Sequence, residues 1–178
     1  GQLGDGTTTD KLTPVQVPGL TGVTSVGCQS WLDPRSGDYG QTTVAKSDGT
    51  VWTWPGSGNL PAQMPGVSGV TSLAVCRSGT DVSSYDHTEA VRNDSTVWGW
   101  GNTAYGQLGN GTASEGHVTT PVQASGLTGI TAIAVGGTHS MALRNDSTVW
   151  AWGDDRYGQL GDGHDLTLPL PAQLTWPA

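Results

Sequence analysis

Apolar residues occur along this chain in short runs, separated by segments rich in glycine, threonine, asparagine and aspartate. Near the C-terminus, such runs predict strands at 130–135, 140–143 and 148–152, and a short proline-containing strand at 171–174. The second and third of these strands are joined through residues 145–147, Asn-Asp-Ser, which suit a tight hairpin turn. The pattern therefore predicts a unit of four short antiparallel strands.

This unit is repeated along the chain with a period of about 50 residues. The segment 139–153 has a near copy at 87–101 and a looser copy at 41–54, each ending in two tryptophans one residue apart. A Tyr-Gly-Gln-Leu-Gly element follows the tryptophans at 105–109 and 157–161, and Gly1–Gly4 repeats its last four residues. Repeated units of four short strands are typical of β-propeller blades.

The repeated residues resemble the regulator of chromosome condensation repeat, with linkers like those of bacterial members. The resemblance is carried by the runs at 136–143, 149–153 and 158–163, and it weakens at 54–57, where Trp-Pro-Gly-Ser replaces Trp-Gly and no Gly-Gln-Leu-Gly follows. It implies a closed ring, typically of seven blades. We therefore expect an all-β chain of about three four-stranded blades plus one extra strand. The expected boundaries are 1–21 for the end of a preceding blade and 22–66, 67–126 and 127–178 for the three blades.

Composition narrows the possible functions. The chain has 178 residues and a formal net charge of −8, with seven lysines and arginines scattered along it. Clustered basic residues are needed to bind phosphates, so we expect no nucleic-acid binding. No apolar run approaches the roughly 18 residues that cross a bilayer, so we expect no membrane insertion. We expect no cofactor and no metal site, because single carboxylates in Gly-Asp-Gly turns supply too few ligands for calcium.

Three blades make an incomplete ring, which would leave two apolar faces in water. If each face exposes roughly 400 Å², the lost burial is about 10 kcal/mol per face. That cost rivals the whole stability of a domain, about 5–15 kcal/mol. We therefore expect the faces to be covered by blades from the rest of a longer chain, or by another copy in a dimer or filament.

Several repeated residues are predicted to serve the architecture. His87 and His139 share one repeat position, where the first unit has Gln41, and we expect them to hydrogen-bond a backbone turn. The tryptophans could be read as a sugar-stacking platform, but their fixed phase predicts blade core. These are Trp52, Trp54, Trp98, Trp100, Trp150 and Trp152.

Departures from the repeat are the better candidates for binding. The first unit inserts residues 31–39 and the second inserts 78–86 after the equivalent strand, so both insertions should lie on one face. Their tyrosines, aspartates and neighbouring arginines suit a protein-contact surface, although tolerated surface insertions are the alternative. The candidates are Trp31, Asp33, Arg35, Asp38 and Tyr39 in the first, and Arg77, Asp81, Tyr85 and Asp86 in the second.

Cys28 and Cys76 precede these two insertions. They are either two thiols or a disulfide between neighbouring blades, which would be consistent with an oxidising, extracellular setting.

These observations favour a non-catalytic protein-binding or scaffold propeller, secreted or at the cell surface. The resemblance permits scaffolding, adhesion or enzyme inhibition. The alternative is a carbohydrate-binding module that uses Trp31, Tyr39 and Tyr85. An enzyme would need convergent groups, and Asp154 and Asp155 are adjacent, so strand alternation would point them apart.

Overall fold

The computed structural model describes residues 1–33, 37–55, 60–76 and 85–175, with backbone alone for 30–33 and 37–39. Within these ranges the chain forms three four-stranded antiparallel sheets and no helix, which confirms the expected all-β class. In each sheet, strands adjacent in sequence are hydrogen-bonded neighbours. The strands are β1 (Val23–Asp33), β2 (Gly37–Lys46), β3 (Val51–Pro55) and β4 (Ala62–Gln63) in the first blade, β5 (Val70–Cys76), β6 (His87–Arg92), β7 (Val97–Asn102) and β8 (His117–Gln123) in the second, and β9 (Ile130–Val135), β10 (His139–Arg144), β11 (Val149–Gly153) and β12 (Leu168–Gln173) in the third.

The hairpin between the second and third strands of each blade is fixed by one repeated side-chain pattern. In the third blade, Asp146 Oδ1 accepts hydrogen bonds from the backbone N–H and the hydroxyl of Thr148, at 3.0 and 2.6 Å. Ser147 adopts a left-handed φ of 67°, and Gly49 has 78° at the same position in the first blade. Residues that tolerate positive φ or bond their own backbone favour such a turn.

The extra strand expected at the N-terminus is not formed. Residues 13–17 have no strand pairing and are mostly exposed, although they repeat the sequence of the fourth strands. A strand requires a hydrogen-bonded neighbour. No described strand lies beside this segment. Strand propensity and a repeated sequence pattern are therefore not enough to make residues 13–17 form a strand.

Apolar clusters fill the two junctions between blades. Ala45 and Val51 of the first blade pack with Ala90 and Trp100 of the second. The equivalent Val91 and Val97 of the second blade pack with Ala142 and Trp152 of the third. Each sheet thus buries both faces only where another blade lies beside it.

The two tryptophans of each repeat have different environments. The second of each pair is buried: Trp54 is 3% exposed, Trp100 5% and Trp152 0%. The first is half-buried and donates its indole N–H to a threonine hydroxyl, as Trp150 does to Thr148 at 3.1 Å. A cationic side chain covers each half-buried ring. The pairs are Lys46 on Trp52, Arg92 on Trp98 and Arg144 on Trp150.

No disulfide joins Cys28 to Cys76 in this structure, which corrects the interpretation as a blade-to-blade bridge. Strands β1 and β5 are adjacent, and Gly27 packs against Val75 between them. Successive residues of a strand point to opposite faces, so Cys28 and Cys76 both point away from this junction, in opposite directions. Cys28 is accordingly exposed.

Candidate functional site

Two tyrosines and an arginine meet where the second and third blades adjoin. Tyr85 lies two residues before the start of β6, Tyr105 lies between β7 and β8, and Arg156 lies between β11 and β12. The two tyrosine rings pack edge to face, with centroids 5.0 Å apart. The guanidinium carbon of Arg156 lies 4.3 Å from the centroid of the Tyr105 ring, a cation–π contact. We call these residues, with Asp154, the Tyr-Arg cluster.

Asp154 holds the arginine in place. Its carboxylate accepts two hydrogen bonds from the Arg156 guanidinium, at 2.8 and 3.0 Å, and a third from the Thr138 hydroxyl at 3.1 Å. Burial would raise the pKa of Asp154, but the hydrogen bonds from Arg156 and Thr138 outweigh it and lower that pKa. A bidentate pair of this kind fixes the plane of the guanidinium over the tyrosine ring.

Tyr105 is positioned by the repeated Gly-Gln-Leu-Gly element. Its backbone N–H donates to the Gln107 side-chain oxygen at 2.9 Å, and the Gln107 amide donates to Asn102 at 3.1 Å. Gln107 is fully buried, so this turn is a rigid support. The side chain of Arg156 is about half exposed, and the neighbouring Tyr157 is 88% exposed. A rigid surface of tyrosine and arginine is the composition enriched in protein-contact hot spots.

The predicted binding residues are only partly described by the structure. Strands β1 and β2 run on through the first insertion as a hairpin, which places Trp31 opposite Tyr39 in the backbone register. Nothing is described of these side chains, nor of those of Asp33 and Asp38. Arg35, Arg77 and Asp81 lie outside the described residues.

In the second insertion, Tyr85 joins the Tyr-Arg cluster, whereas Asp86 is buried and its carbonyl accepts the Asn102 N–H at 2.8 Å. Sequence reasoning missed Tyr105 and Arg156 because both belong to a repeated segment that predicts architecture. One signal was present: Arg156 stands where the second unit has Ala104.

His87 links two blades and also hydrogen-bonds the backbone of Tyr85, two residues before it. Its Nε2 lies 2.8 Å from the Ser140 hydroxyl, and that hydroxyl donates to the Gln107 carbonyl at 2.9 Å. The contact thus continues from His87 through Ser140 to the backbone of Gln107. Burial lowers the pKa of His87 to about 4, because the charged ring would lose its hydration. His139, at the same repeat position, faces no fourth blade and is half-buried.

The acidic pair at 154–155 has structural partners. Asp155 is fully buried and accepts the Leu160 N–H at 2.7 Å, whereas Asp154 is bound by Arg156. In the part of the chain that the structure describes, no three His, Cys, Asp or Glu side chains are grouped to hold a metal ion. Nor does any described helix have the length and hydrophobicity needed to span a membrane.

Comparison with known proteins agrees with this geometry. Residues 94–143 and 146–178 match the family model of the regulator of chromosome condensation (RCC1) repeat, and a second model of that repeat matches 130–159. The chain carries RCC1 repeats. An alignment with the human E3 ubiquitin-protein ligase HERC2 covers 96% of this chain at 32% identity, and it covers 4% of HERC2. An alignment with the ultraviolet-B receptor UVR8 of Arabidopsis thaliana covers 99% of this chain at 27% identity, and it covers 40% of UVR8. The chain thus spans less than half the length of these relatives.

Solved structures of RCC1 proteins show the same fold. Human WBSCR16 superposes on 89% of this chain with a TM-score of 0.64 and 23% identity, and the match covers 39% of that protein. Prp20p of Saccharomyces cerevisiae superposes on 77% with a TM-score of 0.59 and 23% identity, covering 35% of it. Prp20p is described with binding properties to Gsp1p and histones, and it has been solved with Kap60. The three sheets therefore have the fold of β-propeller blades.

Proposed function

We propose that this chain is part of a non-catalytic RCC1 propeller that binds another protein through the Tyr-Arg cluster. The observation that carries the proposal is the exposed Arg156 guanidinium, fixed against Tyr105 by the buried Asp154. A pre-organised arginine and tyrosine pair loses little conformational entropy when a partner binds. Prp20p, with the same fold, binds proteins, which supports this class of function. An extracellular or cell-surface location and a bacterial source are part of the proposal and rest on the sequence alone.

The two end faces of the blade array support the further proposal that more blades complete the ring. On the first blade, Val26 is 71% exposed, whereas Leu73 and Ile133 at the same repeat position pack against the junction clusters. On the third blade, Leu143 is 43% exposed, whereas the equivalent Val91 is 4% exposed. Burying such residues is favourable by about 25 cal/mol per Å². The rest of a longer chain, or another copy, would supply the covering blades.

Site-specific photo-crosslinking in the source cells tests the protein-binding proposal. A photoreactive phenylalanine at the exposed Tyr157, beside the Tyr-Arg cluster, should yield discrete protein adducts that disappear when Arg156→Ala is added. The same probe at Leu12, which is fully exposed and outside the cluster, is the control. Equal adducts at both positions, or adducts that survive Arg156→Ala, would contradict it.

The mass in solution tests ring completion separately. Light scattering on this chain should give a mass above 18.3 kDa if copies cover the end faces. A soluble monomer of that mass, with both end faces exposed, would contradict the proposal that copies of this chain cover the faces. If that monomer were also stably folded, it would contradict the proposal that the blade array needs further blades at all.

A second candidate function, carbohydrate binding, rests on the opposition of Trp31 and Tyr39 in the extended hairpin. Sugar-binding sites use aromatic residues that lie close together, and the backbone register brings these two positions opposite each other. Binding on a glycan array that Trp31→Ala abolishes and Arg156→Ala leaves intact would favour this function over protein binding.

A further inference from the structure

A Gly-Gln-Leu-Gly turn locks the blade that follows it, and the structure shows this contact twice. The Gln107 carbonyl accepts hydrogen bonds from the Trp152 indole at 2.8 Å and the Ser140 hydroxyl at 2.9 Å. At the N-terminus, the Gln2 carbonyl accepts from the Trp54 indole at 2.9 Å and the Thr42 hydroxyl at 3.1 Å. A hydroxyl and an indole N–H therefore converge on one backbone carbonyl of a Gly-Gln-Leu-Gly turn.

The glycine that closes this turn lies on the indole ring. Gly4 and Gly109 have φ values of 71° and 64°, in the left-handed region. A Cβ on Gly4 would lie 2.6 Å from Trp54 Nε1, and one on Gly109 would lie 2.9 Å from Trp152 Nε1. The contact thus accepts only a glycine at this position.

The junction between the first and second blades retains the donors but lacks the turn. Thr88 and Trp100 are paired across β6 and β7 in the register of Ser140 and Trp152. Between β3 and β4 the first blade has only residues 56–61, with no Gly-Gln-Leu-Gly sequence, where the second blade has 103–116 between β7 and β8. Among the described residues, none accepts a hydrogen bond from the Trp100 indole or the Thr88 hydroxyl, although Thr88 is 2% exposed and Trp100 5%.

A cleft of about 100 Å³ lies beside these two donors. Its wall includes Met64 of the first blade, as well as Gln29 and Gln41, which hydrogen-bond each other at 2.8 Å. Thr88 and Trp100 both line this cleft, so a group that enters it with a carbonyl oxygen would gain two hydrogen bonds there.

We propose that this cleft is a binding site for a Gly-Gln-Leu-Gly-type turn of a partner protein, whose glutamine carbonyl accepts the Thr88 hydroxyl and the Trp100 indole N–H. The occupant is a polypeptide because both occupied junctions hold a backbone carbonyl with a glycine against the indole. The site is separate from the Tyr-Arg cluster, so neither proposal depends on the other. The chain's own turns at 1–4 and 106–109 already lie on Trp54 and Trp152.

The indole N–H signal of Trp100 reports binding directly. The probe is a synthetic peptide with the sequence of residues 102–111, which includes the asparagine and glutamine that hold the turn together. Titrated into the ¹⁵N-labelled chain, it should move the Trp100 indole signal downfield in a saturable way and leave the Trp152 signal in place. A peptide with alanine in place of the glycine of position 109 should bind at least tenfold more weakly.

Three variants make the result decisive. Thr88→Val removes one donor at nearly constant volume, and Trp100→Phe removes the other but leaves a smaller ring; each should weaken peptide binding tenfold or more. Because Trp100→Phe alters the core, a third variant keeps the core intact. In this graft, residues 56–60 are replaced by the sequence of residues 103–116, so that the first blade carries a Gly-Gln-Leu-Gly turn of its own. The graft should shift the Trp100 signal without peptide and abolish peptide binding. No saturable shift at millimolar peptide would overturn the proposal, and so would binding by the graft or by Thr88→Val as tight as binding by the wild-type chain, whatever Arg156→Ala does.

Discussion

The Glu89 carboxyl group is buried against Gly99, so close that a Cβ on this glycine would lie 2.8 Å from Glu89 Oε1. Glu89 is 0% exposed at the junction between the second and third blades. Burial raises its pKa well above the usual value, because ionisation would place a charge away from water. The third blade has Met141 at the same repeat position, paired with Ala151 in place of glycine.

Replacing Glu89 by glutamine should stabilise the chain at high pH. The unfolded carboxyl ionises above about pH 4.5, whereas the folded one resists ionisation, so wild-type stability falls as the pH rises. Glu89→Gln should raise the free energy of unfolding by about 1–3 kcal/mol at pH 8 and change it little at pH 4. Urea unfolding at both pH values measures this. Glu115→Gln, at an exposed position, is the matched control, and an equal effect of the two variants would contradict the prediction.

His87 should cause the opposite pH dependence. Its folded pKa of about 4 lies below the unfolded value of 6.5, so its contribution is complete above pH 6.5 and is lost as the pH falls towards 4. The loss amounts to about 3 kcal/mol. His87→Gln, the residue of the first repeat at this position, should flatten the unfolding free energy between these pH values. His117→Gln is the exposed control, and acid sensitivity that persists in His87→Gln would count against this role.

Alanine substitutions at two glycines can distinguish the cost of a strained backbone from the cost of a side-chain clash. Gly109 and Gly126 have similar φ values, 64° and 73°, but a Cβ on Gly126 meets nothing within 4 Å. Gly126→Ala should cost about 1–2 kcal/mol for the left-handed conformation alone. Gly109→Ala should cost at least about 1 kcal/mol more, because its Cβ meets the Trp152 ring. Denaturant unfolding measures both, and equal losses would show that the turn does not press on the indole.

The thiols should be reactive without reductant. Cys28 is exposed and Cys76 is not, so iodoacetamide should modify Cys28 faster in the native chain. In denaturant without reductant, the intact mass should rise by two adducts. A mass that rises only after reduction would restore the disulfide interpretation.

The sequence predicts the strands well because each is confirmed by a second copy. Residues 130–135 form β9 as expected, and β10 and β11 begin and end within a residue of their predictions. The segment 13–17 has the same local sequence signal but lacks a neighbouring strand, so its conformation depends on residues that the pattern does not contain. Repetition thus identifies the blade, while pairing determines whether a strand forms.

The Tyr-Arg cluster was less predictable because it depends on contacts between loops of different blades. Tyr85 could be selected from its insertion, but its contact with Tyr105 and the contact of Arg156 with Tyr105 follow from how two blades adjoin.

The directions of the two cysteine side chains could not be predicted for a related reason. A single residue of register decides which face a side chain occupies, and similarity between repeats does not reveal which face meets the neighbour.

The turns that contact Trp54 and Trp152 give the row of blades a polarity, because in each contact a turn carbonyl precedes in sequence the blade whose indole it accepts. Two copies therefore cannot join through like ends with twofold symmetry and reproduce this contact. Successive copies would have to add head to tail, as in heterologous assembly. At the leading end the Trp54 indole is already engaged by Gln2, so the N-terminal residues would have to leave it before another copy could dock there.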